Sequence, residues 1–343
     1  MTSVVKSVSS VLKNREQFLA LLIVVLVLVV GVITPEFLSA HSLIGTFNDT
    51  SILMILAMGQ MLVILTRCID LSVAANLALT GMVVAMINAA MPSIPIPLLM
   101  VLAMVLGALL GAINGFFVWI VGVPAIVVTL GTMSIYRGTV FLLSDGAWVN
   151  AHQMSKSFID LPRQWVLGLP MMSWIAIVIV AALFFATRHW RSGRDFFTAG
   201  GDPTAAFYTG VKVGKVQFKA FVVSGMLAGL CGYLWVSRFA VAYVDVANGF
   251  ELQVVAACVI GGISIMGGIG TVVGCALGAL FLGVINNALP VIGVSPFWQL
   301  AISGAVIIVA VIANSTAERS KGRIILRRAV KAHDVLAQPS EAR

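Results

Sequence analysis

Very little in this chain is equipped for covalent or redox chemistry. Its histidines, His41, His152, His189 and His333, are scattered through the connections. None stands near a Cys, Asp or Glu at the spacing a metal ion requires. Cys231, Cys258 and Cys275 sit inside apolar runs and Cys68 follows Arg67, so the cysteines read as packing residues. Gly214-Lys215 is followed by Val216 and lacks the earlier glycine of a phosphate loop, so ATP is not bound here in that way. Gly268-Ile-Gly270 through Gly274 has the outline of a dinucleotide fingerprint, but no strand is expected before it and no acidic partner follows. No catalytic residue, metal site or cofactor is expected, and the chain does not read as an enzyme.

The polar groups that remain lie inside apolar stretches. They are Gln60, Asn76, Asn88, Asn114, Thr129, Asn286, Asn287, Gln299 and one cation, Arg137. Such groups are costly in a membrane and mark pathways or interhelical bonds. Amides and hydroxyls suit the passage of a neutral, hydroxyl-rich solute, and Asn76, Asn114, Thr129, Arg137, Asn286 and Gln299 are the candidates for a translocation path. The competing readings are that half or more of them only join helices, and that Arg137 snorkels to the headgroups. Asp70 and Glu251 lie at span edges, so no carboxylate sits at mid-membrane. An ion-coupled carrier usually places an acid or an unwound ion site there. Its absence points to an energy source outside this chain.

A second candidate surface is polar and local. Between Arg188 and Val211, Asp202 is placed to cap a helix, Pro203 fits its first position and Gly210 ends it. This short helix presents Ala205, Ala206, Phe207 and Tyr208. A mere connection needs no capped aromatic helix, whereas a docking surface for a cytoplasmic partner does. The basic tail after Ala317 is the next candidate for that role.

These residues must be positioned by membrane spans. The 343-residue chain is 60% hydrophobic and 10% charged, against about 25% charged in soluble domains. No Asp, Glu, Lys or Arg occurs from Leu71 to Tyr136 or from Leu252 to Ala317. A span takes about 20 apolar residues. The expected spans are 18–34, 51–66, 71–90, 98–119, 124–143, 170–187, 216–236, 251–266, 269–289 and 297–314. The third, fifth and eighth are rich in small or polar residues and are candidates for broken or re-entrant helices. The first lacks a cleavage site after Ile33 and is read as an uncleaved span rather than a signal peptide. The expected fold is all-α, a polytopic transmembrane helix bundle of about ten spans (8–10).

The net charge of +8 comes from basic residues at the ends of apolar runs, a topological pattern that argues against nucleic acid as a partner. It puts both termini and the 188–215 loop in the cytoplasm. The expected parts are a cytoplasmic N-terminal segment 1–17, a transmembrane domain 18–314 and a basic cytoplasmic tail 315–343. Gly107-Ala-Leu-Leu-Gly-Ala-Ile-Asn-Gly115 returns as Gly278-Ala-Leu-Phe-Leu-Gly-Val-Ile-Asn286, consistent with a five-plus-five inverted repeat. The glycine steps 107-111-115, 225-229 and 270-274-278 leave flat faces for close helix packing.

Several segments in order resemble the ribose-type carbohydrate permeases of bacterial ABC importers. They are Ile69-Asp-Leu-Ser-Val73, Asn114-Gly through Val123-Pro124, Thr129 through Gly138, Gly193-Arg194, Gly200-Gly-Asp-Pro203, Phe250-Glu-Leu252, Val259 through Ile263 and Gly267-Gly268. The stretch Phe250–Cys258 looks most similar to rhamnose-type and autoinducer-2-type members. The resemblance implies a multi-pass protein of the bacterial inner membrane, working as a dimer with a second copy or a related permease. It also implies a cytoplasmic ABC ATPase subunit and a periplasmic solute-binding protein, with membrane lipid around the spans. The implied solute is rhamnose, a ribose-like sugar or autoinducer-2. The family's coupling helix maps onto Gly200, Gly201, Asp202, Pro203, Thr204, Ala205 and Ala206, continuing to Phe207, Tyr208 and Gly210. Thr204 replaces the family's usual glutamate and so removes a carboxylate from that position. The alternative is a stand-alone secondary carrier for a small polar solute.

Overall fold

The computed structural model describes residues 15–295 and positions 298, 301, 302, 304, 305 and 308. Most of the expected N-terminal segment 1–17, most of the tenth span, Gln299 and the tail 315–343 lie outside the described residues. The chain forms an all-α polytopic bundle. Its helices are α1 (Arg15–Ile33), α2 (Ala40–Leu65), α3 (Val73–Ala90), α4 (Ile96–Phe116, continued by a π turn Phe117–Val121), α5 (Ala125–Ser144) and the short α6 (Lys156–Asp160). Then come α7 (Met171–His189), α8 (Arg191–Gly201), α9 (Pro203–Tyr208), α10 (Val213–Phe239), α11 (Phe250–Ile260) and α12 (Val272–Val291). Among the described residues, 8 helices are long and apolar enough to cross a membrane.

Three expected spans, the second, third and fifth, are adjusted by the structure. The second span starts at Ala40, because the polar residues before Ile52 find partners instead of ending the helix. Ser39 caps it by accepting from the Ser42 amide at 3.2 Å, Thr50 donates to the Thr46 carbonyl at 2.7 Å, and Asn48 accepts from Ser173 at 3.1 Å. The third and fifth spans, expected as candidates for broken helices, are continuous as α3 and α5. The eighth is the short one. Its helix α11 has 11 residues, about 16 Å at 1.5 Å per residue, half of a ~30 Å hydrocarbon core. Gly262, Gly267 and Gly268 then take left-handed φ values of 92°, 82° and 72°, which L side chains avoid. Non-helical backbone at this depth must find partners inside the protein. Here the Gly268 amide donates to the Leu65 carbonyl at 3.0 Å and Ser264 to Ile269 at 2.9 Å.

Helices α2 and α10 form the buried centre of the bundle. The glycine steps of α4 and α10 face each other: a methyl group on Gly107 would strike Gly225 and Gly229, and one on Gly111 would strike Phe221 and Gly225. Gly274 and Gly278 of α12 meet Gly261 and Ala257 in the same way, while Gly270 precedes the helix and packs on Ile263. Lipid tails are as apolar as leucine, so it is close backbone contact and interhelical hydrogen bonding that hold such helices together. The outward faces are the greasy ones, with Leu21, Val24 and Leu28 of α1 and Leu98, Val105 and Leu109 of α4 exposed.

The bundle has two chemically distinct ends. Arg15, Arg67 and the basic residues of the α7–α10 connection gather at one, the basic end. At the other, a two-stranded antiparallel pair (Val149–Asn150 with Val241–Ala242) and α6 cover the helix ends. There Arg238 pairs with Asp49, and Arg163 donates to the Arg238 carbonyl at 2.8 Å.

Candidate functional site

The α8–α9 connection is built locally. The Asp202 carboxylate accepts from the Thr204 and Ala205 amides at 2.9 and 3.0 Å, satisfying two orphan donors of the first turn of α9. Pro203 occupies the first helical position, and Gly210 leaves the helix at φ 83°. Ala206 is fully buried against the body of the protein. Ala205 points outward, and Phe207 and Tyr208 are 73% and 82% exposed, their rings meeting edge to face at 5.9 Å. Two adjacent exposed aromatics make an apolar patch of the kind that interaction surfaces carry. The sequence reading anticipates this short helix but not α8 before it.

Gly200 and Gly201 play a different part from the helix they precede. They are the last two residues of α8 and are pressed against the bundle: a side chain on Gly200 would strike the Leu65 carbonyl, and one on Gly268 would strike Gly201. Arg67 donates to the Gly200 carbonyl through Nε at 2.6 Å and to the Gly201 carbonyl through Nη2 at 2.8 Å. Sequence reasoning counts Arg67 only as topological charge. Its one available signal is a cation directly beside an apolar span.

Two cavities lie along α5, one at its first turn, on the side of the basic end and termed inner, and one at its middle, termed outer. The inner one, about 490 Å³ at the basic end, is lined by Arg67, Cys68, Ile69, Val118, Val123, Pro124, Ala125, Ile126, Gln217 and Ile265. The outer one, about 380 Å³, is lined by Met133, Ser134, Arg137, Val244, Asp245, Asn248 and Glu251. Arg137 is held by the carbonyls of Val244 and Val246 at 3.2 and 2.6 Å. Among the described residues, neither the Asp245 nor the Glu251 carboxylate forms a side-chain hydrogen bond or ion pair. The outer cavity therefore offers free acceptors beside an anchored guanidinium.

Between the cavities runs a buried polar chain. Asp70 accepts from the Ser72 amide and hydroxyl at 2.9 and 2.7 Å, Asn114 donates to the Ser72 hydroxyl at 2.8 Å, and Thr132 donates to Asn114 at 2.7 Å. Thr129 reaches the Ile69 carbonyl at 3.3 Å. Gln60, with its amide turned to satisfy both groups, bonds the Asp70 backbone at 3.2 Å on each side. Burial pushes the Asp70 carboxyl above its ordinary value, and the bonds from Ser72 pull it back. Burial likewise raises the Cys68 thiol to about 11, so it is no ready nucleophile.

The expected path residues thus separate. Arg137 lines the outer cavity. Asn114 and Thr129 are buried in the polar chain that fixes the α2–α3 turn to α4 and α5. Asn76 is buried where it donates to the Gly107 carbonyl at 3.1 Å, joining α3 to α4, with its carbonyl oxygen left unpaired. Asn286 of α12 is half-buried and donates to Gln253 of α11 at 3.2 Å. Gln299 lies outside the described residues. Asp70, Ser72, Asp245 and Glu251 join the site from the fold alone. Among the described residues no His, Cys, Asp and Glu cluster could hold a metal ion.

The family described as "Branched-chain amino acid transport system / permease component" matches residues 42–311. The chain is 35% identical over 306 residues to a ribose import permease protein of Haemophilus influenzae, covering 88% of this chain and 93% of the relative. It is 34% identical over 299 residues to an autoinducer 2 import system permease protein of Photorhabdus luminescens, covering 87% and 89%. It is also 34% identical over 291 residues to a D-allose transport system permease protein of Escherichia coli, covering 84% and 88%. No solved structure matches it.

Proposed function

The chain belongs to this family of transport-system permease components, and from that premise we propose that it is the membrane permease of an ATP-driven importer for a monosaccharide or sugar-like solute. The observation that carries the reading is the α9 surface, a capped helix with two exposed aromatics at the basic end. It fits a cytoplasmic ABC ATPase subunit whose closure is transmitted mechanically, since nothing in the segment could hydrolyse ATP. In this reading the basic end faces the cytoplasm, as the lysine and arginine distribution favours. A periplasmic solute-binding protein delivers the solute to the opposite end, and a second copy or a related permease completes the path in the bacterial inner membrane. The segments 1–17 and 315–343 are then cytoplasmic. That α4 packs on α10 and α12 on α2 supports the five-plus-five inverted repeat.

The outer cavity suits a hydroxyl-rich solute. Sugar hydroxyls can donate to the free carboxylates of Asp245 and Glu251 and to the Asn248 carbonyl oxygen. About 380 Å³ lies within the usual range for small-molecule sites, roughly 300–1,000 Å³. The relatives' solutes, ribose, D-allose and autoinducer 2, agree with that choice. The test is uptake into proteoliposomes of labelled ribose, allose, rhamnose and autoinducer-2. Uptake of at least one is expected only with the ATPase, the binding protein and ATP. Uptake by this chain alone on a proton gradient would establish the secondary-carrier alternative instead.

A further inference from the structure

We propose that Arg67 is a positioning residue for transport, the link that carries movement of the α8–α9 loop to the inner mouth of the path. This rests on the reading of α9 as the ATPase dock.

The argument begins with helix ends. Gly200 and Gly201 close α8, and the last carbonyls of a helix have no intrahelical partner and carry its negative end. The Arg67 guanidinium supplies what they lack, a planar fork that meets both carbonyls at once. Asp202, the next residue, caps the start of α9. The junction between the two loop helices is therefore pinned at one side chain.

The other side of Arg67 is the cavity. Arg67 and Cys68 line the inner cavity with Gln217 of α10, and Gln217 donates to the Thr66 carbonyl at 3.2 Å. The glycine contacts at Leu65, Gly200, Gly201 and Gly268 leave no slack in which the loop could shift without moving the 65–67 backbone. Arg67 also stands at φ 64°, a left-handed conformation that costs any residue with a side chain and that persists only when surrounding contacts hold it. Here the two carbonyls of α8 hold it. A pull on α9 is thus delivered to the backbone that forms the cavity wall.

Cys68 is a native reporter of that wall: buried at rest, with its thiol raised to about 11, it reacts slowly until the wall moves and admits water. The complex of the full chain with its cognate ATPase is placed in lipid nanodiscs and treated with N-ethylmaleimide, with and without ATP plus vanadate. Modification of Cys68 is followed by peptide mass spectrometry. In the native protein the nucleotide state is expected to change the rate about tenfold, the scale of an ordinary coupling between sites. In R67M and R67G the ratio falls to near one while the ATPase still co-purifies. R67G also removes the left-handed strain, so its loss of coupling is not a folding defect. R67K, reaching one carbonyl instead of two, retains part of the ratio. An undiminished ratio in both R67M and R67G overturns the proposal, as does a native ratio near one. So does loss of the ATPase from the Arg67 variants alone, which would make the residue part of the dock. If the native chain itself fails to retain the ATPase, the docking reading falls, and this proposal with it.

Discussion

Replacing Phe207 and Tyr208 together with alanine separates docking from folding. Both rings stand in solvent, 73% and 82% exposed, so the isolated permease gains little from them. A surface substitution of this kind changes stability by no more than about 0.5 kcal/mol. On docking the same rings would be covered. An aromatic side chain buries ~150–250 Å², and at ~25 cal/mol per Å² a ring that is three-quarters exposed has roughly 3–5 kcal/mol of gross stabilisation to offer. Ordering and imperfect desolvation reduce that to about 2–4 kcal/mol for the pair, or roughly 30- to 1,000-fold in Kd. Ala205→Glu acts on the same outward face by forcing a charge to lose its water, a cost of several kcal/mol by order of magnitude. The assay is titration of the ATPase onto nanodisc-embedded permease, alongside the melting temperature of the permease alone. Weakened association with an unchanged melting temperature is expected for the aromatic pair and for Ala205→Glu. Unchanged association in both would refute the argument and turn attention to the basic tail.

The other expectations are shorter. Asp202→Ala removes the acceptor of two amide bonds and should cost about 1 kcal/mol of local helix stability, read as faster hydrogen exchange at Thr204 and Ala205 with only a mild loss of uptake. Gly107→Leu drives a side chain into the backbone of α10 and should destabilise by about 1–3 kcal/mol or more; a melting temperature in detergent equal to that of the native chain would mean that α4 and α10 do not pack this closely. Arg137→Met empties the outer cavity of its cation and releases the Val244 and Val246 carbonyls, so uptake should fall while the complex still assembles; loss through misassembly alone would make Arg137 structural. Reporter fusions after Gly146 and after Asn248 should both report periplasm, and a cytoplasmic signal at both would reverse the bundle.

What was legible beforehand was legible because its cause is local. A bilayer demands about 20 apolar residues per crossing, so two long stretches without charge announce the bundle before any contact is known. The α9 cap is equally short-range, since Asp202 bonds amides only two and three residues ahead. The glycine steps at spacing four declare flat helix faces, although not which helix each face would meet.

The site itself depends on contacts between distant parts of the chain. Asn76, Asn114 and Thr129 look alike as intramembrane polar residues. Whether such a group lines a path or joins two helices depends on how each helix is rotated against its neighbours, and periodicity in a chain that is apolar all round does not encode that rotation. The eighth span combines an apolar run with glycines. It becomes a half-length helix because Gly268 can find the Leu65 carbonyl, a partner that composition does not name. Arg67 is the clearest case: its bonds reach residues 133 and 134 positions away. The sequence by itself determined that the chain crosses a membrane and carries a short, capped helix between Asp202 and Gly210, because solvent transfer and helix capping act within a few residues. Only the tertiary structure decided which polar groups face a cavity and which cation holds the loop, because those depend on the relative rotation and close approach of helices far apart in the chain.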